Sequence, residues 1–533
     1  MKCLSFLVFL VAVTSYANSY KILMYSNLFG HSHVKMLAAA SDVLTDAGHN
    51  VTVLMPVLDL NLRHKTSLKS TKNTIFVEAA PNVKDLMDDM RDFLTNLWSA
   101  DASPIVMLKK AGDMGKVFSE QCKKVVSEPG LIEKLKAENY DLAITEPFDT
   151  CAYAVFEAIN ITAHVAILAG SRLDHVSAAI GQPVAASYVP GTQAKTGDRM
   201  SMKERFGNFV GFFFGSYFFA SMGDEEFKAV QSIVPIKRSW REVLPEASFI
   251  LTNQIPLLDF PSPTFDKIVP IGGLSVKTEK KHLKLDEKWA KILGIRKHNV
   301  FISFGSNAKS VDMPEEFKKS LLEVFKAMPD TTFIWKYENE KDTIADHLDN
   351  VYLGEWLPQN ELLADPRLSV FVTHGGLGSV TELAMMGKPA VMIPLFADQT
   401  RNGQMLKRHG GAAVLSKNDL EDWKLVKETL EEVIRNPKYR KNAERLAEML
   451  TNQPTNPKET LVKYVEFAAR FGKLPSLDNY GRHQSYIEYF FLDIIAIAIL
   501  ISLISLYISY RIFRHVIRKI FYSKCSEEKS KTE

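Results

Sequence analysis

The stretch Phe371–Gln399, FVTHGGLGSVTELAMMGKPAVMIPLFADQ, constrains the fold more than any other part of the chain. Leu368 to Thr373 is a short apolar run with β-branched residues and reads as a buried parallel strand. Ser379 to Met386 reads as a helix, and a second apolar run ends in Pro-Leu-Phe-Ala-Asp-Gln. This order of elements calls for an α/β layout. The turn after the first strand aims backbone N–H groups and the positive end of a helix at the space above the strand ends. Such a place suits a phosphate. Glycines at 375, 376 and 378 let the backbone approach a ligand closely.

Gly376, Gly378 and Thr381 nearly spell the dinucleotide fingerprint, and Asp398 lies near the spacing of its ribose-binding acid. Thr381 stands where a small Gly or Ala is wanted, and the unit comes late, after another α/β region. Both observations weigh against a nicotinamide cofactor. A strand–turn–helix that binds nothing would leave His374 unexplained.

The same alternation fills the chain. Tyr20–Asn27 reads as a strand, 34–46 as a helix stopped by Gly48, and 51–56 as a second strand, a βαβ unit. Strands at 74–79, 140–145 and 164–168 follow, with helices across 84–136. From Phe260 to Lys281 the composition turns to Pro, Gly and Lys. A second series then runs through 300–306, a helix at 314–328, 331–337, 351–359, the opening stretch and 412–416. Helices fill about 418–471. Two doubly wound domains facing a cleft are expected, with ligands at the C-terminal ends of the strands. The expected boundaries are 18–265 for the N-terminal domain, 266–284 for the linker and 285–480 for the C-terminal domain with its closing helices.

The ends place the chain. Lys2 precedes the apolar run Leu4–Val13 and then Ser15-Tyr16-Ala17, a signal peptide over residues 1–17. Tyr489–Tyr510 is apolar and about the length a spanning helix needs. Arg511, Arg514, Arg518, Lys519 and Lys524 follow, so by the positive-inside rule 511–533 is a cytosolic tail and the body is luminal or extracellular. Of the four cysteines, only Cys122 and Cys151 would face the lumen, and spacing does not decide whether they pair. Asn50 and Asn160 open glycosylation sequons, both beside apolar strand-like runs that argue against their use. The formal net charge of +3 argues neither for nor against nucleic acid. No basic stripe interleaved with aromatics is present, and no nucleic-acid partner is expected.

SFGS at 303–306, and the long pattern from Trp356 to Gln399, resemble the signature of the UDP-glycosyltransferases, specifically the membrane-bound UDP-glucuronosyltransferase branch. The signal peptide, GHSHV at 30–34, the terminal apolar helix and a tail with Lys529 and Lys531 extend the resemblance to nearly the whole chain. The lysines are similar to a dilysine retrieval signal of endoplasmic-reticulum membrane proteins. The resemblance implies a GT-B fold and a single-pass, luminal, inverting enzyme of detoxification. It also implies a UDP-sugar co-substrate on the C-terminal domain and a small lipophilic acceptor on the N-terminal domain. No cofactor and no metal are implied, and a homo-oligomer is left open. The sugar is glucuronic acid or glucose. A rival from another class is a non-catalytic UDP-sugar or lipid binder.

Residue by residue, the resemblance gives Trp356 as a stacking platform for uracil, Gln359 as a nucleoside contact, and Ser306 as a diphosphate contact. His374 with Gly376, Gly378 and Ser379 would cradle the diphosphate. Glu382 would accept the ribose hydroxyls; its plain alternative is a first-turn helix acid. Asp398 and Gln399 would hold the sugar. The common vertebrate form has Asn at 378 and Gly at 379, a swap that matters little if the contacts are backbone ones. His33 matches the general base, with His31 a neighbouring rival. The acid that orients His33 is Glu146 or Asp149; Glu146 stands at the strand end, and Asp149 also suits a helix cap. The aromatic stretch Phe206–Met222 is either a core helix or a segment that touches the acceptor or a membrane.

Overall fold

Parallel strands buried on both faces need helices on both sides, and the chain supplies them twice. The computed structural model describes residues 19–88, 96–99, 104–276, 283–306, 308–339 and 341–529. The first sheet holds β1 Lys21–Tyr25, β2 Asn50–Pro56, β3 Asn73–Val77, β4 Leu142–Thr145, β5 His164–Leu168, β6 Ile250–Thr252 and β7 Ile268–Pro270. Its order is β3-β2-β1-β4-β5-β6-β7, parallel throughout. The second holds β8 His298–Ser303, β9 Thr331–Lys336, β10 Val351–Gly354, β11 Val370–Thr373, β12 Ala390–Met392 and β13 Ala412–Val414. Its order is β10-β9-β8-β11-β12-β13, also parallel.

The helices used below are α1 His31–Asp46, α2 Pro104–Val126, α3 Cys151–Ala158, α4 Met202–Val230, α5 Leu377–Met386, α6 Gln399–Arg408, α7 Pro457–Phe471 and α8 Leu492–Lys529. Side chains alternate across each sheet with the period of two that a strand imposes. In β1, Leu23 and Tyr25 enter the apolar layer shared with α3, while Ile22 and Met24 enter the layer under α1. In the second sheet, Phe301 and Phe371 stack at 4.7 Å on one side. Val300, Ile302, Val370 and Val372 fill the other.

Several elements differ from expectation. The short strands β6 and β7 were not anticipated, and β7 lies in the stretch read as linker, of which 277–282 fall outside the described residues. GHSHV is not a loop: α1 begins at His31, so His33 sits in the first helical turn. The aromatic stretch Phe206–Met222 lies within the single 29-residue helix α4. That helix buries Phe212, Phe218 and Met222 and leaves Phe206, Phe209, Phe213 and Tyr217 exposed. Helix α7 starts with Pro457 behind an Asn456 cap and packs on the first sheet through Leu461, Val465 and Ala468.

Residues Asn479–Glu533 form a separate unit. There α8 spans 38 residues, and Leu492–Tyr522 is long and apolar enough to cross a membrane. The helix starts three residues later than expected and continues through Arg511 and Arg514. The signal peptide at 1–17 and Lys531 lie outside the described residues. Asn50 and Asn160 are both exposed, against the expectation drawn from their apolar neighbours.

Cys122 in α2 and Cys151 at the start of α3 form a disulfide that closes a loop of 29 residues. Cross-linking a loop of that length removes about 3–4 kcal/mol of chain entropy from the unfolded state. The double variant Cys122→Ala/Cys151→Ala should lose stability of that order in thermal or denaturant unfolding. An unchanged midpoint would show that the bridge does not form.

Candidate active site

Strand order reverses between β1 and β4 in the first sheet and between β8 and β11 in the second. Loops leaving the strands there diverge to opposite faces and open a crevice at the C-terminal ends. His33, Glu146, Ser306, His374 and the 376–382 turn and helix follow these four strands, while Trp356 and Gln359 follow β10 and Asp398 and Gln399 follow β12.

On the first sheet, His33 follows β1. Gly30 precedes it at φ 67°, and a Cβ there would come within 2.9 Å of the His33 ring, so glycine is required by both backbone and space. His33 Nδ1 lies 2.8 Å from Oε2 of Glu146, which follows β4. The other Glu146 oxygen accepts the Ala169 N–H at 2.8 Å. The side chains are 29% and 7% exposed. A proton on Nδ1 donated to Glu146 leaves Nε2 as the acceptor. Burial pulls the His33 pKa down. The charge and hydrogen bond of Glu146, then the charge of Asp398, outweigh it and leave it above the ordinary 6.5. His31 is exposed, and partial desolvation with the Lys35 and Lys65 charges lowers its pKa.

Asp149 makes no bond to His33. Its Oδ1 accepts the Cys151 N–H at 2.6 Å. Burial and then the neighbouring Glu226 push its pKa well up. Glu226 of α4 in turn accepts the Thr150 N–H and hydroxyl at 2.8 and 2.6 Å. The two acids form a carboxyl–carboxylate pair that ties α4 to the start of α3. Beside His33, Phe29, Phe118 and Phe148 line a small open pocket together with Glu146 and Asp149. The Phe148 ring lies 5.0 Å from that of His33.

On the second sheet, Gly305 follows β8 at φ 87°, and its Cβ would stand 2.6 Å from the His374 ring; a Cβ on Gly376 would stand 2.9 Å away. The His374 imidazole therefore fits between two backbone loops only because both carry glycine. Burial, then Lys336, lowers its pKa to about 4, so it is neutral and can donate one hydrogen bond. Lys336, at the end of β9, donates to the Gly305 carbonyl at 2.8 Å and to Glu338 at 2.7 Å. Sequence reading missed it, since a lysine closing a strand carries no local signature. Ser306 is exposed beside this loop.

Gly376 caps α5, whose first-turn N–H groups face the crevice from the positive helix end. A Cβ on Gly378 would meet nothing within 4 Å. The Ser379 hydroxyl accepts from Gln359 Nε2 at 3.1 Å, so the departure at 379 engages a side chain and not the backbone alone. Gln359 also donates to Glu382 Oε2 at 2.6 Å. Lys35, reaching across from α1, bonds the other Glu382 oxygen at 3.2 Å. Trp356, between β10 and Gln359, is 80% exposed, an open indole face.

Asp398 sits at the start of α6 behind Ala397, a non-glycine residue at φ 53°. Burial raises its pKa, with Asn402 and His33 opposing. Asn402 Nδ2 bonds Asp398 at 2.8 Å and the Gly375 carbonyl at 3.0 Å, joining the two loops. Gln399 is buried, and its carboxamide oxygen accepts from Leu395 and Phe396 N–H at 2.9 and 3.1 Å, which leaves its amide N–H groups for a ligand.

The UDP-glucoronosyl and UDP-glucosyl transferase family model matches residues 21–527. The chain belongs to this family. Among curated members of the UDP-glycosyltransferases, putative UDP-glucuronosyltransferase ugt-56 of Caenorhabditis elegans is 29% identical over 88% of this chain and 90% of its own. UDP-glucuronosyltransferase 1A8 of Rattus norvegicus is 26% identical over 94% and 92%. Among solved structures, Phytolacca americana UGT2, complexed with UDP-2fluoro-glucose and pterostilbene, aligns at TM-score 0.57 and 15% identity, covering 85% of this chain and all of that one. The glycosyltransferase of kitacinnamycin aligns at 0.57 and 16% identity, covering 85% and 99%. As a UDP-glycosyltransferase, the chain has the GT-B fold and transfers sugar from a UDP-sugar donor.

Asp149→Asn should leave kcat within about threefold of wild type, because its partner is Glu226. It should cost about 1–3 kcal/mol of stability by unbalancing a buried pair. Loss of turnover in a folded Asp149→Asn enzyme would contradict this assignment.

Proposed function

We propose that the enzyme transfers glucuronic acid from UDP-glucuronic acid to the hydroxyl of a small lipophilic acceptor, with inversion at C1. The observation that carries the reading is the His33–Glu146 pair at the first switch point, coupled electrostatically to Asp398 beyond the second. The acceptor O–H loses its proton to His33 Nε2 as its oxygen attacks C1. The C1–oxygen bond to the diphosphate breaks, and its electron pair leaves with UDP. Glu146 orients the imidazole and stabilises its cation. Uracil stacks on Trp356, with Gln359 beside it. Glu382 accepts the ribose hydroxyls. Ser306, His374 and the N–H groups of Gly376, Gly378 and Ser379 take the growing charge on UDP. Asp398 and Gln399 hold the sugar. The aromatic pocket beside His33 supports a lipophilic acceptor. The relatives above, named for glucuronosyl transfer, support glucuronic acid.

In this reading residues 18–265 hold the acceptor, 285–480 hold the donor, and 266–284 join them. The body is luminal in the endoplasmic reticulum, anchored by α8, with 511–533 cytosolic and Lys529 and Lys531 as the retrieval signal. The disulfide, which belongs to oxidising compartments, and the exposed sequons support that side of the membrane.

One experiment tests the chemistry: UDP release with a phenol panel, across pH, from UDP-glucuronic acid and from UDP-glucose in separate reactions. Glucuronic acid should be preferred, and kcat/KM should fall as pH drops through a His33 pKa above 6.5, because the base must be unprotonated. Glu146→Gln removes the largest cause that raises this pKa and leaves burial to lower it. Its acid limb should move to lower pH, and its plateau should fall by roughly 10²–10⁴. Preference for UDP-glucose would change the sugar. No release with any acceptor would mark a binding protein. An unshifted limb in Glu146→Gln would remove Glu146 from the pair.

A further inference from the structure

Glu382 is buried, yet it receives a cation from the opposite sheet. Lys35 Nζ stands 3.2 Å from Glu382 Oε1, with side-chain exposures of 38% and 5%. Lys35 lies two residues after His33 in α1, about 200° around the helix axis from it. The start of α1 is therefore held from two sides. His33 bonds Glu146 on its own sheet, and Lys35 bonds Glu382 of α5 on the other. Two such bonds fix both the rotation of this first turn and its distance from the donor helix.

We propose that Lys35 is a positioning residue, whose ion pair with Glu382 registers His33 against the donor sugar. The inference rests on the reading of His33 as the base and Glu382 as the ribose acceptor. A carboxylate offers about four lone-pair directions. Lys35 and Gln359 use one on each oxygen, so ribose hydroxyls bind beside Lys35 without displacing it. The pair then survives donor binding and links the ribose to the base through one carboxylate. Misplacing a reacting group by about an ångström costs roughly a hundredfold in rate. Donor affinity, supplied by the second sheet, is insensitive to the same slip.

The test is the split between turnover and donor binding in full-length enzyme. Lys35→Met should lower kcat by roughly ten- to a hundredfold while the Kd for UDP, read by Trp356 fluorescence quenching, stays within about threefold; that binding also shows the variant is folded. Lys35→Arg, which keeps the cation, should recover most of the turnover. The pair is partly exposed, so high salt should lower kcat in wild type and have little effect in Lys35→Met. His33→Ala is assayed alongside. If it is dead while Lys35→Met turns over at the wild-type rate, the positioning role fails and the base assignment stands. If His33→Ala keeps its turnover, the base assignment fails and the inference with it. Weakened UDP binding with unchanged kcat in Lys35→Met would make Lys35 a donor ligand and overturn the proposal.

Discussion

The two histidines at the heart of the site depend on where the parallel strands reverse their order. In both sheets the reversal flanks the first strand of the series: β1 against β4, β8 against β11. Only there do neighbouring loops leave in opposite directions and uncover the strand ends. His33 and Glu146 leave β1 and β4, so the hydrogen bond between them spans the crevice itself. Gly305 and His374 leave β8 and β11 in the same relation, packed so closely that two glycines are needed to admit one imidazole. Local chemistry is ordinary at each position. Topology brings it to one place.

A cleft lined with buried ionisable groups is stable only if each has a partner. Glu146 is shared between His33 and a backbone N–H, Glu382 between Gln359 and Lys35, and Asp398 leans on Asn402. His374 avoids the problem by staying neutral. Asp149 and Glu226 solve it differently, by pairing with each other below the aromatic pocket. That pair lies next to the disulfide, so the loop carrying Glu146 runs into one of the most heavily tied points of the first sheet. A point tied this heavily suits the role of general base proposed for His33.

Much of this was legible in the chain. Long alternating segments announced two doubly wound sheets, and the glycine-bounded turn at 374–379 announced the strand–turn–helix of β11 and α5. What local pattern could not carry was anything made at long range. Strands β6 and β7 are three residues each and show no period. Helix α7 has the same pattern as its neighbours, yet it packs on the first sheet through Leu461, Val465 and Ala468. The strand end pointed to Glu146 ahead of Asp149, but the sequence kept both, because which carboxylate meets His33 depends on how the strand end turns. Lys35 and Lys336 belong to no motif, and only the folded chain sets them beside Glu382 and Gly305. Only the folded chain shows that Cys122 and Cys151 join.

The central claim is a direct displacement at C1 by an acceptor that His33 activates. The anomeric configuration of the product tests it most directly. UDP-glucuronic acid and UDP-glucose are α-linked at C1, so a single displacement must deliver a β-linked product. Proton NMR of the conjugate, read from the coupling of the anomeric hydrogen, should show the β anomer alone. An α-linked product would require a second displacement or a front-face route, and would contradict the role given to His33.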